Sequence, residues 1–193
     1  MAEQMQRVPV DETTDKQEKK PIISQNNEPT EITCKCPLLD PDDWNAVESD
    51  WSDIQFLRGT TPAVLGVPLR FSATRDRLVK KAKQLGGKLP EDAMILVGNG
   101  KFRRDILVEL DNNRKIPSNK KIFDPGGVSF TKIYEAPWGQ MRNLMTEFET
   151  QATARYGRRP DKTWVWYLTC QICTTERNFE TLFVAHYKNG KTG

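Results

Sequence analysis

The chain has 193 residues, of which 37% are hydrophobic, and 29 Lys and Arg against 26 Asp and Glu give a net charge of +3. This is the composition of a soluble globular domain, and the sequence contains no apolar run long enough for a membrane span. The basic excess is too small for a dedicated nucleic-acid binder, which disfavours nucleic acid as a partner.

The N-terminal segment, residues 1–31, is predicted to be a disordered tail. It is polar, has an excess of acidic side chains and contains no aromatic residue, so it cannot bury enough apolar area to offset the entropy lost on ordering. It also lacks the apolar stretch of a secretory signal and the composition of a transit peptide, so we expect a cytoplasmic or nuclear protein. The folded domain is expected at 32–193, and its lead-in at 32–55 carries cysteines and tryptophans.

The first half of the folded part, residues 56–111, predicts the order strand, helix, strand, strand. Apolar residues recur at helical spacing after Thr74, and two glycines at Gly86-Gly87 supply a stop signal. The last two strands are expected to form a hairpin around Gly98-Asn99-Gly100. The predicted elements are a strand at Ala63–Phe71, a helix from Thr74 to Gly86, and strands at Met94–Val97 and Asp105–Leu110.

The second half, residues 128–188, predicts the same order. Its helix has the strongest periodicity in the chain, and Gly157 ends it; the repeating apolar residues are Met141, Leu144, Met145, Phe148, Ala152 and Tyr156. The predicted strands are Val128–Tyr134, Trp164–Thr169 and Thr181–Tyr187. We therefore predict an α+β fold of two β-α-β-β repeats, which form a pseudo-symmetric domain with a central cleft.

Four cysteines occur as two close pairs, Cys34-Lys35-Cys36 and Cys170-Gln171-Ile172-Cys173. Four thiolates match the ligand set of tetrahedral zinc, so we expect Cys34, Cys36, Cys170 and Cys173 to bind one structural zinc ion. Two alternatives remain open: thiols without a metal, and a redox-active Cys170–Cys173 pair. The single histidine, His186, lies in a predicted strand and is interpreted as a packing or surface residue.

The second half resembles the GyrI-like (gyrase-inhibitor-like) small-molecule-binding domains, which are distantly related to the SOUL fold. The resemblance rests on the stretch Tyr134-Glu135-Ala136-Pro137-Trp138-Gly139, the long helix that follows, Gly157 and the aromatic strand with Tyr167. The flanking cysteines are similar to those of a stand-alone subset, some of whose members are labelled hydrolases. The resemblance implies a ligand cleft, for which the aromatic candidates here are Tyr134, Trp138, Trp164, Trp166 and Tyr167.

Three functions follow from these features. The first is binding of a hydrophobic or aromatic small molecule in a cleft between the repeats, with a structural metal at the cysteines. The second is hydrolysis of a small hydrophobic substrate, in which Glu109 or Glu135 activates water, because desolvation near indole rings raises the pKa of a carboxylate. The third is a zinc-ribbon-like nucleic-acid or protein adaptor, which the scattered bases and the lack of a stacking platform disfavour.

Overall fold

The computed structural model describes residues 34, 36–64, 67–85, 89–90, 92–111, 116–117 and 121–189. The tail predicted at 1–31 lies outside the described residues. The described residues belong to one compact unit, Cys34–Gly193.

The described part is built on one antiparallel sheet of nine strands. Across the sheet the order is β1-β7-β9-β8-β4-β5-β2-β3, and β6 pairs with β2. In chain order the strands are β1 (Val47–Asp50), β2 (Gln55–Val64), β3 (Val67–Pro68), β4 (Ile95–Gly98), β5 (Arg103–Leu110), β6 (Ile122–Phe123), β7 (Val128–Glu135), β8 (Lys162–Tyr167) and β9 (Glu180–Tyr187).

Three α-helices accompany the sheet in the described residues: α1 (Pro41–Trp44), α2 (Phe71–Gln84) and α3 (Met141–Tyr156). Helix α3 follows a 3₁₀ turn at Trp138–Gln140 and ends at Gly157, whose φ of 70° is left-handed. It buries Phe148, Ala152 and Tyr156 at four-residue spacing, so the predicted apolar face packs on the sheet.

The predicted fold class, two β-α-β-β repeats around a central cleft, is wrong. The architecture is more β-rich than an α+β fold, and separate repeats are not evident, because all nine strands join a single sheet. The expected division falls between β4 and β8, yet these strands pair directly, with Val97 opposite Val165 and Gly98 opposite Trp164. Backbone pairing at these two positions thus joins the two predicted halves into one sheet.

The predicted strand at Ala63–Phe71 is also misplaced. The chain reverses within it, since Val64 pairs with Val67 and Ala63 with Pro68. The long strand is β2, which pairs along its length with β5, and α2 begins at Phe71 directly after Arg70, whose φ is 56°. Strands β1 and β6 are absent from the prediction because segments of four and two residues carry little periodic signal.

Side chains alternate between the two faces of the sheet. One face, here called the helix face, packs against α2 through Leu57, Ile106 and Val108 and against α3 through Val165 and Phe183. The opposite face, here called the aromatic face, carries Phe56, Leu96, Leu107, Trp164, Trp166, Leu182 and Val184. Helices α2 and α3 both pack on the helix face, so among the described helices only the short α1 contacts the aromatic face. Other segments of the chain must bury the rest of that face.

A tight approach at Gly127 provides a sharp test of this fold. A Cβ atom at Gly127 would lie 2.2 Å from the Tyr187 carbonyl oxygen and 2.5 Å from that of Lys188, whereas one at Gly126 would meet nothing within 4 Å. Both glycines have positive φ, 66° and 59°. We expect Gly126→Ala to lower the free energy of unfolding by about 1–2 kcal/mol and Gly127→Ala by more than about 3 kcal/mol. Equal losses in urea denaturation would contradict the register of β9 against this turn.

Candidate metal centre and aromatic face

The four cysteines come together although the two pairs are far apart in sequence. One ligand atom from each of Cys34, Cys36, Cys170 and Cys173 lies within 4.8 Å of the others. The Sγ atoms of Cys34 and Cys170 are 3.4 Å apart, and those of Cys170 and Cys173 are 4.0 Å apart. Zn–S bonds of about 2.3 Å in a tetrahedron place sulfurs roughly 3.8 Å apart. The four thiols are therefore close enough to hold one metal ion.

The surroundings of the thiols affect their pKa values in opposite directions. Backbone N–H groups of Cys173 and Ile172 stabilise the Cys170 thiolate and lower its pKa to about 6. The Ile172 N–H lies 3.4 Å from this sulfur. Burial, together with the neighbouring thiols, raises the pKa of Cys36. A bound cation would offset the repulsion that opposes deprotonation of all four.

Arg177 links the two cysteine segments, a role that sequence reasoning missed. Its guanidinium donates to the carbonyl oxygen of Pro37 at 2.9 Å and to that of Leu168 at 3.1 Å. It also pairs with Glu180 at the start of β9. Pro37 follows the first cysteine pair and Leu168 precedes the second, so Arg177 holds both segments beside the thiols. An arginine four residues after a C-x-x-C pair carries no motif that would have revealed this.

The segment at 37–46, here called the strap, crosses from the cysteines to β1. The Thr131 hydroxyl donates to the Trp44 carbonyl oxygen at 2.8 Å, and the Ile133 N–H donates to Asn45 Oδ1 at 3.3 Å. Beyond the strap, β1 pairs with β7 over four residues. The strap is thus fixed at the thiol cluster at one end and by the edge of the sheet at the other.

Tryptophans from this N-terminal region cover the aromatic face. Trp51, 1% exposed, stacks on Trp164 with ring centroids 5.9 Å apart and contacts Phe56 at 5.4 Å. Trp44, which is half-buried, meets Trp166 edge-on at 6.0 Å. The chain's own indoles therefore bury the face that no long helix covers. His186 packs beside Trp51 and Trp164, and its Nε2 lies 2.7 Å from the Gly126 carbonyl oxygen.

The sheet separates the aromatic residues that the sequence grouped as ligand-binding. Trp164 and Trp166 lie on the aromatic face, each 3% exposed. Tyr134 and Tyr167 lie on the helix face, where the Tyr134 ring contacts Phe183 at 4.8 Å. The side chain of Trp138 is outside the described part of the chain. The four described rings thus lie on two different faces of the sheet, and the ligand-binding role of all five aromatic residues stays a prediction.

The two candidate catalytic glutamates differ in environment. Glu109 lies in β5 opposite Phe56, on the face that Leu107 occupies, and it is half-buried. Burial raises its pKa, and Asp92 and Asp111 raise it further, while the Met94 N–H, 2.9 Å from Oε2, opposes the shift. Glu135 ends β7 and is exposed, with the Asn178 amide 3.4 Å away. Only Glu109 has the desolvated setting that the hydrolase hypothesis needs.

A family model described as Bacterial hydrolase matches residues 24–185, and the chain belongs to this bacterial hydrolase family. A solved structure entitled "Crystal structure of EcmrR C-terminal domain" is 12% identical, with a TM-score of 0.47, and the alignment covers 76% of this chain and 99% of that one. No curated protein matches the sequence. Among the described helices, none is long and apolar enough to cross a membrane.

Proposed function

We propose that this protein binds a small hydrophobic or aromatic molecule and holds a structural zinc ion at Cys34, Cys36, Cys170 and Cys173. The zinc part of the proposal rests on the approach of the four ligand atoms to within 4.8 Å of one another, and the ligand part on the indole rings that meet on the aromatic face. Four thiolates complete a tetrahedral shell and leave no position for substrate, so the ion is structural. Membership of the cysteine-flanked GyrI-like subset is part of the same proposal.

Zinc is favoured among metals by the ligand type. Four sulfur ligands in a tetrahedral arrangement suit zinc or a single iron, and oxygen-preferring magnesium and calcium are disfavoured. The ion would join the chain before the strap to the turn between β8 and β9. The strap, which carries Trp44, would then be held against Trp166.

The ligand position that we propose is the place of the Trp44 ring on the aromatic face. Trp51, Trp164 and Trp166 are at most 3% exposed, whereas Trp44 is half-buried. Helix α1, which contains Trp44, has no buried residue, so moving it exposes less core than moving any other covering element. A flat apolar molecule in its place would keep an aromatic contact with Trp166.

Binding of the neutral fluorophore N-phenyl-1-naphthylamine tests this position. We expect the zinc-loaded Trp44→Ala protein to bind the probe more tightly than the unchanged protein, because the competing indole is gone. Leu38→Ala is the matched control, since Leu38 is in the same strap but 82% exposed, and its affinity should equal that of the unchanged protein. Equal affinity in all three proteins, or no binding by Trp44→Ala, would overturn the proposal.

Hydrolysis is the second candidate function, and the environment of Glu109 favours it. The description of the family as bacterial hydrolases supports the same reading. A general base with a raised pKa becomes active only as pH rises through that pKa, since the carboxyl group must first lose its proton. The hydrolysis rate should therefore increase with pH above the range where an ordinary glutamate titrates.

Glu109→Gln should abolish hydrolysis of p-nitrophenyl butyrate if this second function is correct, since an amide cannot accept the proton of water. The matched control is Glu176→Gln, which changes an exposed glutamate in the turn before β9 and should leave the rate unchanged. Glu135→Gln tests the other candidate carboxylate separately. Turnover by Glu109→Gln at the rate of the unchanged protein would exclude Glu109 as the base.

A further inference from the structure

A groove of about 860 Å³ lies between α3 and the β4–β5 hairpin, where the two central strands of the sheet diverge. Strand β4 pairs with β8 only through Val97–Val165 and Gly98–Trp164. The groove's volume falls in the range of small-molecule sites, roughly 300–1,000 Å³. Charged residues and threonines make up most of its lining.

The floor of the groove includes an open strand edge. Lys162 and Thr163, at the start of β8, pair with His186 and Ala185 of β9, and no described residue of β4 pairs with them on the other side. Backbone donors and acceptors at such an edge are available to a ligand, as at other unpaired sheet edges. The remaining lining is dominated by polar side chains, unlike the aromatic face.

The acidic side chains of the groove already have partners. Asp105 pairs with Arg58 at 2.8 Å, and Asp161 accepts from Arg158 at 3.1 Å and from the Lys188 N–H at 2.8 Å. Glu149 accepts a hydrogen bond from the Thr163 hydroxyl at 3.2 Å.

The basic side chains of the groove, in contrast, lack ion-pair partners among the described residues. Within the described residues, Arg103, Arg159 and Lys162 form no ion pair, and all three are exposed. A guanidinium group matches a carboxylate or phosphate with two parallel hydrogen bonds. Among the described residues, three cations without an ion pair thus face one carboxylate, Glu149, whose partner is a neutral hydroxyl, so the uncompensated charge in the groove is net positive and suited to an oxyanion.

The threonines of α3 add a second requirement on the ligand. The hydroxyl protons of Thr146, Thr150 and Thr153 are donated to the carbonyl oxygens four residues earlier, at 3.1, 2.8 and 2.6 Å. Each hydroxyl oxygen is then left to accept from a donor in the groove. This wall favours a ligand that carries hydroxyl groups.

We propose that the groove binds a small hydroxylated oxyanion, such as a sugar phosphate or a polyhydroxy acid, through Arg103, Arg159 and Lys162. The site lies apart from the thiol cluster and requires neither zinc nor movement of the strap. It goes beyond the proposed function because its chemistry is polar and anionic. Trp164, whose ring packs on the aromatic face, also lines the groove.

Isothermal titration calorimetry of the full chain with glucose 6-phosphate and with gluconate tests the proposal and separates a phosphate from a carboxylate. We expect at least one of them to bind, and uncharged glucose not to bind. Arg159→Gln and Lys162→Gln should each weaken that binding by about tenfold or more, the effect of losing a hydrogen bond to a charged group.

Arg75→Gln is the control, because Arg75 is a partly exposed arginine on α2 that pairs with Asp76 outside the groove, and the affinity of this variant should be unchanged. Failure of both anions to bind at millimolar concentration would overturn the proposal. Binding that neither groove variant weakens, or that Arg75→Gln weakens equally, would do the same, since the anion would then bind elsewhere. Failure of both anions to bind would not affect the zinc measurement, because no cysteine lines the groove. Absence of zinc would likewise not affect the test of anion binding.

Discussion

Cys170→Ser is expected to abolish stoichiometric zinc binding and to lower the thermal midpoint by roughly 6–16 °C. A ligand present at 100 to 1,000 times its Kd stabilises the folded state by about 3–4 kcal/mol, and each kcal/mol corresponds to about 2–4 °C in a domain of this size. The Cys170 sulfur lies 3.4 Å from that of Cys34 and 4.0 Å from that of Cys173, so its loss removes a ligand that contacts both cysteine pairs. Metal analysis and a thermal melt of the same samples measure both effects.

Ile172→Ser is the matched control for this experiment. Ile172 lies between the two cysteines of the same turn, and its side chain is 56% exposed, so replacing it tests the turn without removing a ligand. We expect full zinc content and a shift in the midpoint of less than about 2 °C. A Cys170→Ser protein that keeps its zinc, or an unchanged protein that contains none after purification with zinc present, would contradict the proposed centre.

Trp51→Ala is expected to lower the free energy of unfolding by about 3–5 kcal/mol, the usual range for deleting a buried aromatic side chain. Trp51 is 1% exposed and contacts Phe56, Trp164 and His186. Its removal would leave a cavity that a rigid nine-stranded sheet cannot close. Urea denaturation followed by circular dichroism measures the loss without relying on tryptophan fluorescence.

Trp44→Ala is the comparison that gives this result its meaning. Because Trp44 is half-buried and α1 buries no residue, we expect a loss below about 2 kcal/mol. A larger loss for Trp44 than for Trp51 would show that the strap is part of the core. The ligand position proposed above would then be excluded, since a small molecule could not displace so costly a contact.

Helix α3 was the element most open to prediction from sequence. Its apolar residues repeat at helical spacing over four turns and Gly157 follows at once, so the local signals agree with the final structure. Strand β2 was misplaced because its apolar run continues past the point where Val64 turns back on Val67. Strand pairing is a long-range property, and a hydrophobic run does not reveal where a chain reverses.

The candidate site, like the fold, could be predicted from the sequence only in part. The spacing of the cysteines sufficed to predict that they come together, because ligand type and count are local properties of the chain. The covering of Trp164 and Trp166 by Trp51 and Trp44 could not be read from the sequence. The side on which a lead-in segment packs depends on the finished sheet, so the sequence alone does not show that Trp51 and Trp44 pack on these two residues.

The separation of the thiol pairs has a consequence for biosynthesis. Cys34 and Cys170 are 136 positions apart, and β9, which follows the second pair, lies in the sheet between β7 and β8. On the ribosome, the strap emerges well before β9 and has no completed surface to cover until β9 leaves the exit tunnel. Trp44 and Trp51 would stay exposed throughout that interval, so the nascent chain is expected to need a chaperone until β9 has joined the sheet.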